Sequence, residues 1–373
     1  MISRLRGYAS LAVVPVLSIF LALVVASFLI ILSGLTGPEG SLDLTLPFVA
    51  YASLIKGAFG SVTGMANMIV AATPLILTGL SVGVGLKAGL FNIGATGQLL
   101  LGGFTAGLIG ALMAGAPPLP AVLAAVVGGI LAGALAGFIP GFLKAFTGAH
   151  EVVTTIMLNA LIQLMISGLV NDIFRAPGFS FARTSPVGNA ELGGIGGTPL
   201  HFGVLIAFAC VPFSYWLLWR TTLGFEIRAV GANPTAARYS GMSPRRMIIL
   251  TMSLCGAFAG LAGTVEILRL GYYPAVFGTS IGFDGITVAL LGRGNPFGIL
   301  LAALLLGAMR AGAPLMQIQA GIPVEIIDVI QGVILLFLAA EIVVRRLFHL
   351  RAARTGAGEL QTITRSYSER VTG

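Results

Sequence analysis

Residues 11–32 read LAVVPVLSIFLALVVASFLIIL, with no charged side chain among them. As a helix rising about 1.5 Å per residue, this run is long enough to cross the roughly 30 Å hydrocarbon core of a bilayer. A secretory leader would have a shorter apolar core and an Ala-x-Ala-like exit. The run, behind Arg4 and Arg6, is therefore expected to be an uncleaved first span. Further apolar segments follow near 66–86, 90–113, 119–143, 151–170, 203–219, 247–268, 297–312 and 324–344, with a shorter glycine-broken stretch at 275–291. They are too long for barrel strands, and only helices satisfy their own backbone at that depth. The expected fold is an all-α polytopic membrane protein with about ten transmembrane helices (eight to ten), some broken or re-entrant.

Composition agrees. Of 373 residues, 57% are hydrophobic and 9% charged, and the mean hydropathy is +0.99. A soluble domain carries about 25% charged residues because its surface faces water. The chain also holds 52 glycines, residues common where membrane helices pack closely or break. The net charge of +8 sits in short segments between apolar runs, so it sets orientation rather than marking a nucleic-acid surface. Cys210 and Cys255 lie inside apolar segments without metal-ligand spacing, and His150, His201 and His349 share no motif. No metal site and no cofactor are expected.

Arg220, Arg228, Arg238, Arg245 and Arg246 face a single acid, Glu226, in segment 220–246, and six arginines meet two glutamates from 345 onward. Loops 34–65 and 171–202 are far less basic. The positive-inside rule places both termini and 220–246 in the cytoplasm, and Lys87 and Lys144 at span ends agree. Residues 1–350 are expected to form the transmembrane domain, and 351–373 a disordered basic tail.

Four segments depart from plain membrane helices. Residues 85–105, GLKAGLFNIGATGQLLLGGFT, carry Asn92, Thr96 and Gln98 among six glycines. This is either a broken helix beside a translocation path or close packing with amides bonding across the interface. Residues 281–298 hold Asp284, Arg293 and the turn signal Gly294-Asn295-Pro296; two glycine-interrupted segments in the two halves of a chain fit transporters built from repeats. In 149–160, Glu151 opens a helix where the macrodipole favours an anion. Thr154, Thr155 and Asn159 follow it, a polar stripe that could contact a solute or hold a neighbouring helix. Fourth, Asn233-Pro234 fits an N-cap with a first-turn proline, and Gly241 is a stop for the short helix between. A short capped helix in a basic loop has no core of its own, so a partner surface is expected to cover it; the alternative is a solvated loop that only sets topology.

Glu266, Arg269, Arg310, Glu325 and Asp328 are charges within apolar surroundings that need partners or water. Glu325 and Asp328, one turn apart, could serve a proton relay or anchor the start of the last span. No Walker sequence and no His-Glu-x-x-His occurs. The chain is not expected to hydrolyse ATP or to act as an enzyme.

Three pieces of sequence resemble the permease subunits of ATP-binding-cassette importers, in the superfamily of branched-chain amino acid, simple-sugar and nucleoside permeases. They are Gly89-Leu90-Phe91-Asn92-Ile93-Gly94 with Gly97-Gln98, Arg228-Ala229-Val230-Gly231 with Asn233-Pro234, Ala236-Ala237-Arg238-Tyr239 and Gly241, and Gly282-Phe283-Asp284-Gly285-Ile286 with Val288 to Gly292. The stretch His150 to Asn159 is similar to the nucleoside branch. The resemblance covers about 66–345, although the family often carries an acid where this chain has Thr96. It implies a type II importer-like permease in a bacterial inner membrane, paired with a second permease that in this branch is commonly a different chain. It further implies two cytoplasmic ATPases, which bind the ATP, and an extracellular substrate-binding lipoprotein.

The resemblance also implies that 226–241 forms a coupling helix docking on the ATPase, with Glu226, Arg228, Gly231, Asn233, Pro234, Ala237, Arg238 and Gly241 in that role. The expected solute is a nucleoside or similar polar molecule, for which Asn92, Gln98, Glu151, Thr154, Asn159 and Asp284 are the candidate path residues. Alternatives are a simple-sugar or branched-chain amino acid permease, or an ion-coupled secondary transporter using Glu325, Asp328 and Asp284.

Overall fold

A computed structural model of the chain describes residues 2–36, 43–278, 280–340, 344 and 348. The expected tail, 351–373, lies outside the described residues. Helices dominate: α1 (Ile2–Thr36), α2 (Leu46–Phe59), α3 (Val62–Lys87), α4 (Ala95–Leu112), α5 (Pro118–Thr147), α6 (Glu151–Gly168), α7 (Phe202–Arg220), α8 (Thr222–Ala232), α9 (Pro234–Tyr239), α10 (Pro244–Leu270), α11 (Ser280–Leu291), α12 (Pro296–Ala320) and α13 (Ile326–Ala339). Among the described residues, eight helices are long and apolar enough to cross a membrane, and α2, α11 and α13 are shorter apolar helices. The protein is a polytopic membrane protein. The loop expected at 34–65 instead contains α2, because Leu46–Phe59 is apolar apart from Lys56 and begins with Pro47 in the first turn, where a missing N–H costs nothing.

The chain divides into two compact units, Ile69–Gly307 and a second formed by Met1–Met68 with Ala308–Gly373. In the second unit α1 packs against α13. Tyr51 on α2 donates to the Leu23 carbonyl of α1 at 2.7 Å, and Ser53 donates to Gln319 at 2.8 Å. Phe20, Val24 and Phe28 of α1 remain exposed, as a lipid-facing helix requires.

The larger unit is built on α4, α5 and α10, and its seam is made of glycine. A Cβ placed on Gly260 would lie 2.6 Å from the Gly129 carbonyl oxygen, and one on Gly102 would lie 2.4 Å from Gly260 Cα. One on Gly133 would lie 2.3 Å from the Gly256 oxygen. Backbones approach this closely only where no side chain intervenes. Dispersion between these surfaces, rather than water exclusion, holds helices together in lipid. Thr264 turns its hydroxyl onto the Gly260 carbonyl at 2.8 Å, so the seam buries no unmet polar atom there.

The segment between α6 and α7 folds over one end of this core. Thr184 and Tyr273 exchange backbone and hydroxyl hydrogen bonds (Thr184 N–H to Tyr273 O 2.9 Å, Tyr273 N–H to Thr184 Oγ1 3.0 Å). Tyr273 is buried and makes edge contact with Phe104 of α4. Arg183 lies over the rings of Phe179 and Tyr272 at 3.3 and 4.4 Å.

Candidate functional site

The break foreseen near residue 90 lies between α3 and α4. α3 ends in a Schellman turn: Leu90 N–H bonds the Gly85 carbonyl at 2.9 Å and Gly89 N–H bonds the Leu86 carbonyl at 3.1 Å. Gly89 has φ +69°, a left-handed conformation that glycine adopts without a Cβ penalty. The chain then runs without helix through residues 90–92, turns at Ile93–Gly94 and re-enters as α4.

Asn92, Gln98 and Asn159 meet at this break, all buried. Asn92 donates to Gln98 at 2.8 Å and to Ser81 at 3.2 Å, while Gln98 donates back to Asn92 at 3.1 Å. Ser81 in turn donates to the Cys255 carbonyl of α10 at 2.7 Å. Asn159 of α6 accepts from Gly97 N–H at 2.8 Å and donates to the Ile93 carbonyl at 2.9 Å. Asn92 also accepts from Gly94 N–H at 3.1 Å. The amides therefore supply partners to the α4 N-terminus and to the non-helical backbone before it, groups that hydrocarbon would leave unmet.

Glu151, Thr155 and Asn159 share the buried face of α6. Thr154 does not; it is half-buried and its hydroxyl returns to the His150 and Glu151 carbonyls. Glu151 pairs with Lys144, the last-turn lysine of α5, with the imidazole of His150 3.9 Å from the same carboxylate oxygen. The α5–α6 turn makes this pairing possible, since Gly148 adopts φ +73° and reverses the chain. Asp284 is buried on α11. Its helix lies on the first turn of α4, where a Cβ at Gly282 would be 2.3 Å from Thr96 Oγ1. The α11–α12 turn sits near the α3 end: Lys87 Cε is 3.2 Å from a Cβ placed on Gly294. Glu266 and Arg269, an i,i+3 pair on α10, join in an ion pair.

Loop 220–246 forms two helices capped at each joint. Thr221 accepts from Gly224 N–H at 3.1 Å, Asn233 from Ala236 N–H at 3.0 Å and Ser243 from Arg246 N–H at 3.4 Å. Gly241 has φ +84°. Only Ala237 of α9 is buried; Pro234, Arg238 and Tyr239 are exposed, Tyr239 at 90%. Phe225 on α8 is also exposed, while Glu226 is half-buried. Arg228 turns inward, donating through Nε to the Leu218 carbonyl at 3.0 Å and the Gly224 carbonyl at 3.3 Å. It closes the α7 C-terminus, whereas Arg238 faces outward. Sequence reasoning quoted Tyr239 only within its motif and did not single out Phe225; the 90% exposure of the Tyr239 ring is a signal only coordinates give.

The family described as branched-chain amino acid transport system / permease component matches residues 64–339. The chain is similar to the guanosine ABC transporter permease protein NupP of Bacillus subtilis, 36% identical over 89% of this chain and 94% of the relative. The nucleoside ABC transporter permease protein NupB of Lactococcus lactis is 34% identical over 80% of this chain and 85% of its own length. A glucose ABC transporter permease protein of Haloferax volcanii is 33% identical over 78% of this chain and 80% of its own. No solved structure was found to match.

Proposed function

The chain belongs to the branched-chain amino acid transport system permease family, and we propose that the solute it passes is a nucleoside. It is the membrane-spanning permease subunit of an ABC importer. Two relatives whose names specify guanosine or nucleoside transport, similar over most of both chains, carry the choice of solute. A sugar permease is related at nearly the same identity, so the solute class is the point to test.

Two cytoplasmic ATPases drive the chain in this reading, with a second permease subunit beside it and a substrate-binding lipoprotein outside a bacterial inner membrane. ATP binds to the ATPases. The charge asymmetry puts loop 220–246 and both termini in the cytoplasm. The capped helix α9, with Arg238 and Tyr239 exposed, is the surface offered to the ATPase, and Asn233, Pro234 and Gly241 fix its ends. Ala237 seats it, and Glu226, Arg228 and Gly231 hold the adjoining α8.

The solute path follows the breaks at 88–94 and 292–295. Asn92, Gln98 and Asn159 shape its wall by holding the first break, and Asp284 sits on the short helix lying over it. Glu151 and Thr154 mark the α6 end. A nucleoside carries no charge at neutral pH and presents hydroxyls and a flat base, which suits a route bordered largely by amides, hydroxyls and close-packed glycine backbone. The test is competition. Uptake of labelled guanosine by cells relying on this transporter should be displaced by unlabelled nucleosides and untouched by ribose, glucose or leucine. Displacement by sugar or leucine alone would overturn the nucleoside assignment.

A further inference from the structure

The coupling loop meets the membrane helices through backbone. A Cβ at Gly231, next to last in α8, would stand 2.2 Å from the Lys87 carbonyl oxygen and 2.9 Å from Ala88 Cα. From the other side, a Cβ at Gly89 would be 3.4 Å from the Gly231 oxygen. α8 therefore rests directly on the closing turn of α3, with no flexible side chain between them to absorb a displacement.

That turn leads into the break. Gly85 and Leu86 accept the two bonds that close it, and one left-handed residue, Gly89, sets the direction in which the chain leaves. Five residues on, the far end is pinned, because Asn159 bonds both Ile93 and Gly97 while Asn92 bonds Gly94. α11 lies on the next turn through Gly282 and Thr96. Close-packed contacts of this kind transmit displacement because they have no slack. An element-terminal turn is also where a hinge absorbs a change in φ/ψ.

We infer that residues 85–98 form a transmission elbow. It takes the movement of α8–α9 at Lys87–Gly89 and delivers it to the start of α4, and from there to α6 and α11. Gly231 and Gly89 are positioning residues in this step: they touch neither solute nor ATP but set how far a movement of the loop reaches. The inference rests on the coupling role proposed for α9.

The test is a purified complex of this chain with its partner permease, ATPases and binding protein, in liposomes. Guanosine uptake and ATP hydrolysis are measured together, after wild-type uptake has been established. Gly231→Ala is expected to assemble and to lose tenfold or more in guanosine moved per ATP. Gly89→Ala, a smaller intrusion, should lower the same ratio about threefold, and it carries the test if Gly231→Ala does not assemble. An assembled variant whose ratio of transport to hydrolysis equals that of wild type would overturn the elbow, since a merely structural glycine changes both rates together. Arg238→Glu distinguishes the underlying reading. If that variant keeps its ATPase and full uptake, the coupling role of α9 fails. If it loses both while Gly231→Ala keeps a normal ratio, only the elbow fails.

Discussion

The seam of α4, α5 and α10 and the elbow at 85–98 are both rich in glycine, yet glycine does opposite things in them. In the seam, Gly102, Gly133, Gly256 and Gly260 vanish so that three helix backbones can touch along several turns. In the elbow, Gly89 supplies a left-handed turn, and the gap that follows is bridged by side-chain amides rather than by packing. The seam has no polar hinge and no freedom. At the elbow, a short unhelical run is tied at both ends by directional bonds. A membrane protein that must move needs both, a block that keeps its shape and a joint whose geometry is defined at each limit.

The largest expected effect comes from breaking the seam. Gly260→Leu drives a branched side chain into the Gly129 and Gly133 backbones, which cannot yield, and overpacking of this kind costs about 1–3 kcal/mol or more. The variant should not accumulate in membranes on an immunoblot. Gly115→Leu, at a glycine with nothing within 4 Å of its Cβ position, should accumulate normally. Equal levels for the two would erase the contrast between seam and surface glycine.

Next in size is the loop proposed to drive the joint. Arg228→Glu with Arg238→Glu should abolish uptake while the protein remains inserted. The two sites differ in kind, however. Arg228 holds the Leu218 and Gly224 carbonyls, so its reversal also loosens the loop, by about 1–3 kcal/mol for the unmet groups. Arg238 is exposed, so its reversal alone should remove the ATPase from the purified complex without lowering thermal stability. A stability loss from Arg238→Glu would mean that α9 is part of the fold rather than a docking surface.

Smaller is the effect of untying the elbow. Asn159→Leu removes two bonds, and interhelical hydrogen bonds in membranes average about 0.6 kcal/mol each. A loss near 1 kcal/mol should lower the unfolding midpoint of the purified protein by a few degrees and leave expression intact. No change would say that the amides are incidental to the break.

Smallest is a pH effect at the edge of the core. His201, at the start of α7, is buried with neither ring nitrogen hydrogen-bonded. Burial pushes its pKa down to about 4, with Arg269 adding to the shift and Glu266 opposing it. A lowered histidine pKa means that the fold prefers the neutral ring, so stability is complete above the unfolded value near 6.5 and falls as pH drops toward 4. Thermal unfolding at pH 5 should therefore come a few degrees below that at pH 7.5, with a smaller gap in His201→Leu. An equal gap in the two proteins would assign the effect elsewhere.

Much of this was legible in sequence, for physical reasons. Apolar runs such as 11–32 admit one structure in lipid, and Asn233-Pro234 with Gly241 announces a capped helix wherever it occurs. The break at 88–94 was visible as amides and glycines at membrane depth. Which glycines meet was not, because Gly102 and Gly260 are brought together only by packing of distant helices. The partners of the amides also needed coordinates: Asn159 bonds Ile93 and Gly97 across 66 and 62 residues. Lys144 and Glu151 were noted separately, and only the left-handed Gly148 makes them partners. α2 went unrecognised because its 14 residues are too few to register as a span.

The central claim is that this permease moves a nucleoside and is worked by ATPases through loop 220–246. The most direct measurement is labelled guanosine uptake into liposomes holding the full complex, with ATP supplied on the ATPase side and a protonophore present. The account predicts uptake that requires ATP, ignores the protonophore and disappears with Arg238→Glu. Uptake that proceeds without ATP and collapses with the protonophore would contradict it and point instead to an ion-coupled carrier using Asp284, Glu325 and Asp328.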